Sequence, residues 1–71
     1  MNITLKEYFR EMKTCKNIVI NNKNNDLLVH IDNEKLEQNK NLIIAYLGNI
    51  KILFVEYKHN KIIFVLDTEK R

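Results

Sequence analysis

The stretch NLIIAYLGNIKILFVEYKHNKIIFVLD, from Asn41 to Asp67, most constrains what this chain can fold into. It is dense in isoleucine, leucine, valine and phenylalanine, yet polar residues do not fall at every second position. A half-buried strand alternates apolar and polar side chains, because successive residues point to opposite faces of a sheet. Read as strands, this stretch makes a sheet that is apolar on both faces. In a chain of 71 residues, the question is what covers the second face.

Two turn signals divide the stretch. Gly48-Asn49 has glycine first, as a type II′ hairpin turn requires, and His59-Asn60 is a second two-residue turn. Together they predict a meander of three strands over 42–47, 50–57 and 61–66. Register then assigns the faces. One carries Leu42, Ile44, Tyr46, Lys51, Leu53, Val55, Tyr57, Ile62, Phe64 and Leu66. The other carries Ile43, Ala45, Leu47, Ile50, Ile52, Phe54, Glu56, Ile63 and Val65. The 61–66 strand, last in the meander, is expected at an edge, without a proline or inward charge to blunt it.

The N-terminal segment has a different period. Leu5, Tyr8, Phe9 and Met12 recur at helical spacing, with Lys6, Glu7, Arg10, Glu11 and Lys13 on the other side. Thr4 and Glu7 form a capping box, and Ile3 and Tyr8 stand where a hydrophobic staple would be. A helix over about residues 4–15 is predicted, packing on the first, more aromatic sheet face. NIVIN (17–21) and LLVHI (27–31) flank the polar turn NNKNND and read as a hairpin. The segment DNEKLEQNKN (32–41) contains one apolar residue, Leu36, and is compatible with a helical turn or a loop. The expected fold is α+β, one domain over 1–71: an amphipathic helix on an antiparallel sheet of about five strands, closed as a small barrel if the hairpin folds across the second face.

Composition removes several function classes. Gly48 is the only glycine and proline is absent, which excludes glycine-rich phosphate loops and leaves asparagine as the main turn-former. There is no serine. Cys15 extends the apolar stripe of the helix and reads as structural, with no partner for an internal disulfide. His30 and His59 lie far apart without metal-ligand spacing, and the acids Asp26, Asp32, Glu34 and Glu37 lack an EF-hand pattern. No metal, cofactor or catalytic residue is expected, and the reading is non-enzymatic. MNITLKEYFREMK has no apolar h-region and no apolar run is long enough to span a membrane, so the expected location is the cytoplasm.

The remaining lead is the second face. Leaving about 500 Å² of it bare would forgo on the order of 12 kcal/mol at about 25 cal/mol per Å², comparable with the whole stability of a small domain. Its cover is the 17–31 hairpin, a second copy of the chain in a homodimer, or another protein. Ile43, Leu47, Ile50, Ile52, Phe54, Ile63 and Val65 are the residues expected to meet a protein partner. The function this points to is a protein-binding module. Size and an asparagine-, lysine- and isoleucine-rich composition suit a phage or mobile-element inhibitor of a host protein, an anti-defence protein acting by surface occlusion. The net charge is +3, from twelve Lys and Arg against nine Asp and Glu, so mimicry of DNA is not expected. The alternative is a small barrel that binds single-stranded nucleic acid, stacking bases on aromatics beside cations, with Lys51, Tyr57, Lys58 and Lys61 as its contacts.

Overall fold

The computed structural model describes residues 2–13 and 16–69. The chain runs through helix α1 (Leu5–Glu11), strands β1 (Asn17–Asn21) and β2 (Leu27–Ile31), a single 3₁₀ turn (Asn33–Lys35), helix α2 (Leu36–Leu47), and strands β3 (Ile52–Tyr57) and β4 (Lys61–Leu66). The sheet has four strands in the order β2-β1-β4-β3. β1 pairs antiparallel with β2 and β3 antiparallel with β4, but the central pair β1–β4 is parallel.

The α+β class and the capped N-terminal helix match expectation. The Thr4 hydroxyl accepts from the Glu7 amide at 3.3 Å and the Glu7 carboxylate accepts from the Thr4 amide at 3.1 Å, so two orphan amides are satisfied. The Thr4 amide and then the Thr4 hydroxyl, both donating to the Glu7 carboxylate, hold it below its ordinary pKa. The helix stops at Glu11, earlier than expected, where Met12 turns to an extended conformation with ψ 131°. Cys15 lies outside the described residues. The hairpin falls on the expected residues, as do the last two strands of the meander, with Val55 opposite Phe64.

The 42–47 segment is not a strand. It is the second half of α2. Leu36, Ile43, Ile44 and Leu47 form one helical stripe, so the lone apolar residue of 32–41 belongs to the apolar run after it. Leu36 and Ile43 are buried, Ile44 and Leu47 pack against the core, and Leu42 and Tyr46 face outward. Gly48 is accordingly a helix C-cap rather than a hairpin turn, with φ −62° and its amide donating to the Ile44 carbonyl at 2.9 Å. Glycine is needed there for closeness: a Cβ would run into the Ile44 carbonyl, about 3.0 Å from its carbon. The Gly48 carbonyl then accepts from the Lys6 amide, the Ile50 carbonyl from the Leu5 amide and the Ile3 carbonyl from the Ile52 amide, sewing the start of α1 to the start of β3.

With 42–47 withdrawn, the sheet has four strands and is mixed rather than wholly antiparallel, and it does not close into a barrel. β4 is interior, not an edge. β2 and β3 are the two edges and run in the same direction, and α2 carries the chain across the sheet between them. Both helices contribute to one core. Leu5 and Phe9 of α1, Leu36 and Ile43 of α2, and Ile18, Ile20, Ile52, Ile62, Phe64 and Leu66 of the sheet are buried together. Phe9 and Tyr8 meet the Phe64 ring edge-on at 5.5 and 5.2 Å, a favoured aromatic geometry. The helix thus packs on the β4 face expected for it.

Two bulges adjust the faces. One lies between Ile20 and Asn21 opposite Leu28, and one lies at Leu53, between Ile52 and Phe54. A bulge inserts one unpaired residue and breaks the period-2 alternation. Ile52 therefore pairs with Leu66 on the helix side, where strict alternation places it on the other.

Candidate functional site

The sheet's second face has no described element packed on it. Its composition follows from the register. One row across the four strands reads Leu27, Asn21, Val65, Phe54. The next reads His30, Val19, Ile63, Glu56, and beyond it Asn17 stands beside Lys61. Leu27 and Phe54, at the outer corners, are 60% and 50% exposed. Val19 and Ile63, on the central strands, are half-buried by their neighbours alone. Val65, only 3% exposed, is shielded on this side without joining the helix-side core. The result is an apolar centre with two apolar corners and a polar rim.

Seven residues were expected to form this surface, and the fold divides them. Phe54, Ile63 and Val65 lie on it. Ile43 and Ile52 are buried in the core instead, and Leu47 and Ile50 pack against that core. The reasons are the helical state of 42–47 and the bulge at Leu53. The reading missed Val19, Leu27 and His30 as members of the face, while Glu56 stands beside Ile63 as the register expected. The alternation Asn17-Val19-Asn21 carried the signal for Val19, and the hairpin register carried it for Leu27 and His30. Only the parallel β1–β4 pairing brings these residues beside Ile63 and Val65.

The cationic set does not gather. Lys58 and Lys61 stand at one end of β3 and β4, and Lys51 precedes β3 at the other end, about 20 Å away at about 3.3 Å per residue. Tyr57, 60% exposed, pairs with Ile62 and so lies on the helix side. Exposed Phe54 lies on the opposite face and exposed Tyr46 on α2. Three exposed aromatics on three surfaces make no common stacking platform.

Tyr57 instead borders a cleft under α1. The cleft, about 600 Å³, is lined by the apolar and aromatic side chains of Ile3, Tyr8, Met12, Ile62 and Tyr57 together with the charged Glu7, Glu11, Lys13 and Lys16. The Tyr8 and Tyr57 hydroxyls are hydrogen bonded to each other. That bond pushes the Tyr8 phenol up to about 12, with burial and the neighbouring Tyr57 charge acting in the same direction. Lys16 donates to the Lys58 carbonyl at 2.9 Å, and its ammonium sits 5.9 Å from the Tyr57 ring centroid, within cation–π range. These contacts tie the chain after α1 to the tip of the β3–β4 hairpin. Among the described residues, no three metal-ligating side chains cluster. No described helix is long and apolar enough to cross a membrane.

No family model, curated protein or solved structure matches the chain.

Proposed function

We propose that this chain is a small non-enzymatic protein-binding module that docks through the open face of its sheet. One observation carries the reading: a sheet covered by two helices on one side presents Leu27, Val19, Ile63 and Phe54 on the other. A contiguous apolar patch with a polar rim is the usual form of a protein interaction site.

The action that suits such a surface is occlusion, stoichiometric and without turnover, as in a phage or mobile-element inhibitor of a host protein. The net charge of +3 points to covering a protein surface rather than imitating nucleic acid. The location that fits is the cytoplasm.

Site-specific photo-crosslinking in cells tests the reading. A crosslinking residue at position 54 or 63 is expected to give protein adducts. The same residue at exposed Glu37 on α2 serves as the control. Adducts at position 37 but at neither face position would contradict docking through this face.

A further inference from the structure

We propose that the partner of the open face is a second copy of this chain, stacked about a two-fold axis that runs parallel to the strands and passes between β1 and β4. The inference rests on the reading of that face as a docking surface and names its occupant in the free protein, which a host protein would have to displace.

The face is self-complementary about this axis and not about the alternative. A two-fold along the strands lays β2 over β3 of the second copy and β1 over its β4. Leu27 then meets Phe54, and Val19 meets Ile63. His30 meets Glu56, so an imidazole N–H can donate to a carboxylate. Asp32 is extended (φ −68°, ψ 146°) and continues the alternation of β2 on the side of His30. It comes over Lys58, which lies beyond Glu56 on β3. Within the chain Lys58 and Glu56 form an ion pair at 3.1 Å. Each edge thus offers an acidic and a basic or imidazole group, and the axis sets each against its opposite.

An axis across the strands gives the reverse. His30 would face His30 and Glu56 would face Glu56, while Leu27 would lie over Asp32 and Phe54 over Lys58. Like charges and buried unpaired charges disfavour that arrangement. A symmetric dimer requires a patch that complements itself, and only the first axis provides one.

Size sets the expected strength. Four strands at about 4.8 Å and five residues at about 3.3 Å give a patch of about 19 by 17 Å. Stacked sheets sit about 10 Å apart, rotated by about 30°. That is small for a stable interface, so the dimer should come apart on dilution.

The test is light scattering on a sizing column across a dilution series, with circular dichroism to confirm folding. The wild type is expected to pass from dimer to monomer. H30E sets two carboxylate pairs face to face and should weaken association by about tenfold or more. The double variant H30E/E56H restores opposite partners and should recover most of it. Both residues are exposed, so neither change should unfold the chain. A wild type that is monomeric at every concentration would overturn the second-copy assignment and leave docking of another protein on this face to the crosslinking result. A dimer indifferent to H30E and also to I63K would overturn both, since the copies would then meet elsewhere. Loss in H30E without recovery in the double variant would overturn the axis.

Discussion

The two faces of this sheet are built by the same strands, one residue apart, and they behave differently. On the helix side, Ile18, Ile20, Phe64 and Leu66 have no accessible surface. On the other side, Val19 and Ile63 from the same strands are only half-buried, and Phe54 is half exposed. The difference is cover rather than hydrophobicity. α1 and α2 both lie on one side, and among the described residues no third layer lies on the other. What this teaches is that an apolar period-2 position does not by itself mean core. Stability belongs to the covered face, and the bare one is the surface proposed for association.

Truncation tests that division most strongly. Phe64→Ala removes a ring that touches Phe9 and Tyr8 and should cost about 3–5 kcal/mol. Phe54→Ala, on the bare face of the adjacent strand, should cost less than about 1 kcal/mol in the monomer. Urea unfolding at low protein concentration measures both. Equal losses would mean the two faces are equivalent, and the comparison would fail.

A smaller effect is expected at Asn22, the buried polar residue after β1. Its side-chain oxygen accepts from the amides of Asn24 and Asp26 at 2.9 Å each, and its side-chain amide donates to the Glu69 carbonyl at 3.4 Å. Asn25 takes the positive φ of 66° that the turn needs, which asparagine tolerates. Asn22→Ala leaves two amides without their acceptor, for a loss of about 1–3 kcal/mol. Asn22→Asp keeps an acceptor but buries a carboxylate against the Asp26 carboxylate and the Glu69 carbonyl, to which the Asn22 amide now donates, and should lose more. The same unfolding experiment separates them.

The smallest effect is alkaline. Tyr8 is neutral in the folded chain to higher pH than in the unfolded one, because its hydroxyl is bonded to Tyr57. The stabilisation is therefore present below the ordinary tyrosine pKa of about 10 and is lost as pH rises towards about 12. Stability of the wild type should fall across that window, and Tyr8→Phe should fall less. Identical alkaline profiles for the two would remove Tyr8 as the cause.

Much of the covered face was legible in the sequence. The Thr4–Glu7 capping box, the Leu5 and Phe9 stripe, the hairpin around NNKNND and the Val55–Phe64 register all follow from local rules. The open face was legible only as a problem. The second half of α2, 42–47, reads as a strand because LIIAYL is short and apolar, and periodicity alone does not separate a buried strand from a helix in such a run. Gly48-Asn49 reinforced the error, since glycine after a helix and glycine in a hairpin look alike. The parallel β1–β4 contact joins segments about forty residues apart, and no local pattern announces it. That contact assembles the face from Val19, Ile63 and Val65, and the Leu53 bulge decides that Ile52 does not belong to it.

The most direct test is urea unfolding of Ile63→Lys beside the wild type at a low and a high protein concentration. Association stabilises a folded chain by mass action. The wild-type midpoint should therefore rise with concentration. The Ile63→Lys midpoint should not, and it should lie within about 1 kcal/mol of the dilute wild type. A variant that is unfolded, or a wild-type midpoint independent of concentration together with a large loss in the variant, would contradict the account. Ile63 would then belong to the folding core, and the two faces would share one role.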